Sequence, residues 1–177
     1  DLCLDYLKTQ CREFKNKRVM VIGTGTVGSG LVHRLLELGS DCEWCYHVNR
    51  PELQAAWGKR VTLSTFNDLP ATLPKVDFVV CTAASPGHVL HRGHAPFFDQ
   101  SKNILVVDLA MPRNVEPAMD GITSALKVVD LDGLKRWYRQ EILDMAKVFE
   151  LGRAVVHEHN DLYGKIIQSF QGGNKGE

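Results

Sequence analysis

The sequence predicts an α/β protein: a doubly wound parallel sheet followed by a long C-terminal helix. Three observations carry that reading. An apolar strand runs through glycines at 23, 25 and 28 into a helix. Short Val, Ile and Leu runs then recur between short helical stretches. Beyond Asp132 the chain contains no proline and keeps helical periodicity to about Phe170. Near-continuous aliphatic strands suit a sheet covered by helices on both faces, because neither side of such a strand meets water.

Taken in order, residues 2 to 14 place Leu4, Leu7, Cys11 and Phe14 on one helical face, a short helix packed onto the domain from outside. The first strand, Val19 to Ile22, follows the polar Lys15-Asn16-Lys17. Thr26 to Leu38 carries helical spacing through Val27, Leu31, Leu35 and Leu38, closed by Gly39. A second strand covers Cys42 to Val48, a short helix through Ala56 ends at Gly58, and a third strand covers about Val61 to Leu63. Asp77 to Thr82, Asn103 to Ala110 and Leu126 to Asp130 supply strands four to six. The expected layout is a helix or linker over 1–14, the sheet domain over 15–131, the long helix over 132–170 with Asp132 as its N-cap, and a frayed tail over 171–177.

In the long helix, Ile142, Phe149, Val156, Tyr163 and Phe170 recur every seven residues. Tyr138, Met145, Gly152, His159 and Ile166 sit four before each, so the two sets form a seam of alternating steps. Such a helix is roughly 55 Å long, more than the sheet domain can cover. The seam is therefore expected to meet a homodimer partner or a docking domain.

Composition bounds the function. At 177 residues, 44% apolar and 24% charged, the chain suits one soluble core with an appendage. Basic and acidic residues balance at 21 each, which gives no net field to recruit nucleic acid or an anionic membrane. The apolar runs are strand-sized and no signal stretch is seen, so a cytoplasmic protein without membrane partners is expected. Five cysteines, an odd number, read as free thiols. The first residue is Asp1, as expected of a piece of something longer.

The chemistry lies in the glycine turn. Gly23 permits the tight bend, Gly25 lets the backbone approach a diphosphate, and Gly28 lets the helix pack close, aiming its free N–H groups and positive dipole end at the anion. About twenty residues on, where a carboxylate would hold an unphosphorylated adenosine ribose, the chain has Val48, Asn49 and Arg50. A guanidinium in that place suits a 2'-phosphate, so NADPH is the expected cofactor. His88, His91 and His94 form a ladder lacking a cysteine or carboxylate at ligand spacing, and no metal is expected. Cys42-Glu-Trp-Cys45 has redox spacing but lies within a strand, so both thiols read as structural.

Together, the glycine loop, Asn49-Arg50, Cys81-Thr-Ala-Ala-Ser-Pro86, Val107-Asp-Leu-Ala-Met-Pro-Arg-Asn-Val-Glu-Pro117 and Val129-Asp-Leu-Asp-Gly-Leu134 resemble the NADPH-binding domain of glutamyl-tRNA reductase, over roughly residues 15 to 168. The resemblance implies a Rossmann-like sheet leading into a long spinal helix. It implies hydride transfer from NADPH to a glutamyl thioester, giving glutamate-1-semialdehyde for tetrapyrrole synthesis. Carried onto matching positions, it places Gly23, Gly25, Thr26, Val27 and Gly28 at the diphosphate, and Asn49 and Arg50 at the adenosine ribose and its phosphate. Thr82, Ala83 and Ala84 fall at the carboxyl edge of the fourth strand, and Ala110, Met111 and Pro112 flank the nicotinamide. Asp108 reads as a satisfied strand-end carboxylate.

The family's catalytic cysteine belongs to a separate N-terminal domain with a Ser-Thr-Cys-Asn-Arg type motif. Thr9-Gln10-Cys11-Arg12 is only superficially similar, and Cys11 is read as a packing residue. No catalytic residue is therefore expected in this chain, and glutamyl-tRNA would be reached through a domain outside it. The segment between Arg50 and Asp68 is also shorter than is usual in that family. Two other functions fit the same motifs: a stand-alone NAD(P)-dependent reductase or dehydrogenase, and a non-catalytic dimeric nucleotide sensor.

Overall fold

The computed structural model describes residues 1–172, with the backbone alone over 158–164 and 166–172. Residues up to Leu134 form one compact unit, and a second begins at Lys135.

The first unit is built on six parallel strands: β1 (Arg18–Ile22), β2 (Asp41–Tyr46), β3 (Val61–Thr65), β4 (Phe78–Cys81), β5 (Ile104–Asp108) and β6 (Leu126–Asp130). Their spatial order is β3-β2-β1-β4-β5-β6, the doubly wound Rossmann arrangement that the strand pattern implies. The chain leaves β1 toward one edge and returns from β3 to begin β4 beside β1. A crevice therefore opens between the carboxyl ends of β1 and β4, where neighbouring connections diverge.

Burial follows the pleat. Met20, Ile22, Val79, Cys81, Ile104 and Val106 join Leu69, Leu73, Leu90, Phe98 and Met119 in one core cluster. The alternate residues Val19, Val21, Val80 and Val107 are also fully buried, so the sheet is covered on both faces. Helix α2 (Thr26–Glu37) packs Leu31, Val32, Leu35 and Leu36 inward. Helix α1 (Leu2–Gln10) buries Cys3, Leu4, Tyr6 and Leu7, and Phe14 meets Phe78 at 6.0 Å between ring centroids. Helix α3 spans only Leu69–Thr72.

Several local expectations are corrected. Helix α1 stops at Gln10, so Cys11 lies beyond it, half-buried, with its Sγ 3.0 Å from the Glu13 carbonyl rather than packed in the core. Val27 is 57% exposed: the inward stripe of α2 is set by Gly28, Leu31 and Leu35. The stretch before β3 is a pair of 3-10 turns over Ala55–Arg60, kinked at Gly58, and not an α-helix. Strand β3 extends to Thr65, two residues past its expected end.

Helix α4 covers Leu131–Gly172. Asp132 lies in its first turn, and the capping acceptor is Asp130, whose Oδ1 takes the Gly133 amide at 2.8 Å. The helix is described through Gly172, and residues 173–177 of the expected tail lie outside the described residues. Tyr138, Ile142, Met145, Phe149 and Val156 of the seam are exposed, while the side chains of His159, Tyr163, Ile166 and Phe170 lie outside the described residues. Among the described residues, no helix is long and apolar enough to cross a membrane.

Candidate functional site

The turn after β1 is tied to its neighbours from both sides. Gly23 has φ +115, a conformation that suits glycine, and its amide donates to the Cys45 carbonyl at 2.9 Å. Its own carbonyl accepts the buried indole N–H of Trp44 at 2.9 Å. A Cβ at 23 would stand 2.7 Å from both the Ala83 nitrogen and the Thr82 hydroxyl. At Gly28 a Cβ would run into the Gly23 carbonyl and come 2.8 Å from the Thr82 hydroxyl. Glycine at these two positions lets α2 begin against the ends of β1 and β4.

Gly25 differs. It is the N-cap of α2, with no side-chain cap bond, and among the described residues no heavy atom lies within 4 Å of where its Cβ would be. The first intrahelical amide is that of Ser29, bonded to the Gly25 carbonyl at 2.9 Å. The preceding helix amides are donors that need a partner from outside the helix, and the first turn holds no acidic side chain to repel an anion.

A cavity of about 380 Å³ opens at this turn. Six of the expected residues line it: Gly23, Gly25, Asn49, Thr82, Ala83 and Ala84. Thr26, Val27 and Gly28 form the first turn of α2 and do not line the cavity, and Arg50 is exposed one residue beyond Asn49. Ala110, Met111 and Pro112 follow β5 and also lie outside the lining, with Ala110 buried and Met111 80% exposed. Thr24, His47, Val48, Phe66, Ser85 and Pro86 complete the wall. Sequence reasoning missed His47 and Phe66, although both follow a strand directly. Ending β3 at Leu63 hid the fact that Phe66 stands at a carboxyl edge.

The segment 108–115 braces the site. Asp108, only 1% exposed, accepts the amides of Ala110 at 3.1 Å and Val115 at 2.9 Å, as expected of a satisfied strand-end carboxylate. Burial raises its pKa above the usual carboxylate value, and the backbone amides partly oppose that rise. Fully buried Asn114 accepts the Ala83 amide on Oδ1 at 2.9 Å, and its carbonyl accepts the amides of Val89 and Leu90. Arg113 pairs with Asp130, and the Met111–Pro112 peptide is cis. This segment thus links the carboxyl ends of β4, β5 and β6.

The five thiols and the His91–His94 pair lie outside the cavity lining. All five cysteines are free, and burial pushes the thiols of Cys3, Cys42 and Cys45 up to about 12 and that of Cys81 well above its ordinary value. The rings of His91 and His94 approach to 4.0 Å, and both Nδ1 atoms accept backbone amides, from Gly93 and His91 respectively. Among the described residues, no group of three or more His, Cys, Asp or Glu is placed to hold a metal ion.

Known proteins share this architecture. The family model described as Shikimate / quinate 5-dehydrogenase matches residues 5–137. Glutamyl-tRNA reductase of Thermosipho melanesiensis is 27% identical over 130 residues, covering 71% of this chain and 34% of that protein. In structure, glutamyl-tRNA reductase from Methanopyrus kandleri superposes with TM-score 0.63 at 22% identity, covering 92% of this chain and 43% of that one. The nucleotide binding domain of glutamyl-tRNA reductase from Thermoplasma volcanium gives 0.52 at 14%, covering 81% and 94%. The chain spans about a third of the length of the curated relatives it matches.

Proposed function

Because the chain belongs to the shikimate / quinate 5-dehydrogenase family and its Rossmann region matches that of glutamyl-tRNA reductases, we propose that it is the NADP(H)-binding part of an oxidoreductase of the glutamyl-tRNA reductase kind. The observation that carries this reading is the open Gly25 face. It adjoins close-packed Gly23 and Gly28, and it shares a cavity wall with Asn49. A diphosphate supplies the acceptors that the first amides of α2 require. Thr26, Val27 and Gly28 contribute those amides, while Asn49 and Arg50 hold the ribose and its 2'-phosphate. Thr82 to Ala84 bound the ligand on the β4 side, and Ala110 to Pro112 stand beside the nicotinamide.

The bound cofactor supplies hydride. This chain's part is to orient the carrier, and the acyl group arrives as a glutamyl thioester on a cysteine outside it. The buried thiols here do not serve that role, being held protonated far above neutral pH. The product is glutamate-1-semialdehyde, and the apolar seam of α4 docks on a second copy.

A second reading rests on the family description itself: a dehydrogenase of shikimate or quinate. The two separate by direction and substrate. The first predicts that the complete protein consumes NADPH only when charged with glutamyl-tRNA. Reduction of NADP⁺ with shikimate or quinate, and no response to glutamyl-tRNA, would establish the second instead.

A further inference from the structure

The opposite edge of the sheet carries a cavity of its own. The amino ends of β1, β4, β5 and β6, which are neighbours in the sheet, border a space of about 540 Å³, larger than the 380 Å³ at the glycine turn. Phe78, Leu105 and Lys127 are register partners in adjacent parallel strands, so they share one face of the sheet. Phe78 and Leu105 are buried and form an apolar floor. Lys127, on the edge strand β6, continues that row as an exposed cation.

Charge in this cavity is one-sided. Lys17, Lys102 and Lys127 line it against a single carboxylate, Asp77. That carboxylate is already engaged: Oδ1 lies 3.5 Å from the Lys102 Nζ, and Oδ2 accepts the Arg18 amide at 2.9 Å. Among the described residues, no ion pair or side-chain hydrogen bond engages Lys17 or Lys127. Lys17 is half-buried, presented where Asn16, at φ +64, turns the chain into β1. The chain as a whole balances 21 basic against 21 acidic residues, so this excess is local and not a consequence of composition. A concavity lined by one sign of charge over an apolar floor concentrates counter-ions. Asn103 and Ser124 add neutral hydrogen-bonding groups to the lining.

We propose that this amino-edge cavity is a second binding site, which takes a small polyanion, either a phosphate ester or a polycarboxylate. Lys17 and Lys127 are its charge partners, and Phe78 and Leu105 lie beneath the body of the ligand. The volume falls within the roughly 300–1,000 Å³ of small-molecule sites. A nucleic acid would need cations spread along an extended face, whereas here they line one concavity. Strands β1 and β4 run five and four residues between this edge and the glycine turn, which keeps the two sites roughly 13–17 Å apart. Both can be filled at once, and the inference does not depend on the nucleotide reading.

The test titrates the full chain with pyrophosphate and, separately, with citrate at constant ionic strength, following backbone amides by nitrogen-15 NMR. The amides of Asn103, Ser124 and Ala125 are expected to move together along one saturable curve with at least one of the two anions. Saturation with pyrophosphate alone identifies a phosphate ester as the ligand class, and with citrate alone a polycarboxylate. Pyrophosphate bound at the glycine turn reports separately, through the amides of Gly23 and Gly25. Lys17→Gln and Lys127→Gln should each raise the midpoint at Asn103, Ser124 and Ala125 by about three- to tenfold, the loss of one partly exposed charge contact. Both variants should leave any midpoint at Gly23 and Gly25 unchanged. Shifts at the amino edge that are absent or fail to saturate with both anions, or a midpoint that neither substitution moves, would overturn the proposal.

Discussion

Asn114 Oδ1 accepts the Ala83 amide at 2.9 Å, so a side chain from the loop after β5 holds the cavity-lining end of β4. Asp108 steadies the same loop from below by accepting the Ala110 and Val115 amides. Asn114→Ala strips a partner from the Ala83 N–H and should cost about 1–3 kcal/mol of stability. Urea unfolding measures this, and a midpoint unchanged from wild type would remove the bracing role.

Gly28 and Gly30 lie two residues apart in α2, on different sides of the helix, and differ in consequence. Gly28→Ala drives a methyl into the Gly23 carbonyl and the Thr82 hydroxyl, so it should lower the melting temperature and weaken NADPH binding together. At Gly30, among the described residues, no heavy atom stands within 4 Å of a new Cβ. Gly30→Ala should stabilise α2 by about 0.5–1 kcal/mol with NADPH affinity unchanged. Thermal melts with and without NADPH separate the two outcomes.

Arg50 is exposed at the end of the β2 turn, next to cavity-lining Asn49. If its guanidinium meets the 2'-phosphate, Arg50→Ala should weaken NADPH by about 1–3 kcal/mol and leave NADH nearly unchanged. Equal losses for both cofactors in calorimetric titration would withdraw that contact.

The sheet was legible because its strands are uniformly apolar. Strand β6 matches its expected bounds and the others match to within two residues at either end, since aliphatic runs report burial directly. Connections were harder to read. Ala55–Arg60 forms 3-10 turns because Gly58 adopts φ +57, which no periodicity reveals. At the site, the glycines marked the turn, but His47 and Phe66 come together only through the register of β2 and β3. Asn114 was hidden for a similar reason: its partner Ala83 lies 31 residues away, and the bond depends on β4 and β5 being adjacent.

The thiols give a pH prediction with a definite sign. Cys3, Cys42 and Cys45 titrate near 9.0 when unfolded and near 12 when folded, because burial penalises the thiolate. Their folded pKa is raised, so the stabilising contribution is fully present below pH 9 and is lost as pH climbs from there toward 12. Each thiol should steepen the decline by about 1.4 kcal/mol per pH unit in that window. Replacing Cys42 with Ser should flatten the alkaline limb measured by urea unfolding, and an unchanged slope would contradict the assignment. Under native conditions, a thiol reagent should label half-buried Cys11 first, ahead of the four buried cysteines.

The central claim is that a phosphorylated nicotinamide nucleotide lies with its diphosphate over the Gly23–Gly28 turn. Isothermal calorimetry of the purified chain with NADPH and NADH tests it most directly. The account predicts one saturable site per chain, with NADPH bound more tightly than NADH. No heat with either nucleotide at saturating concentration, together with an unmoved melting temperature, would contradict it.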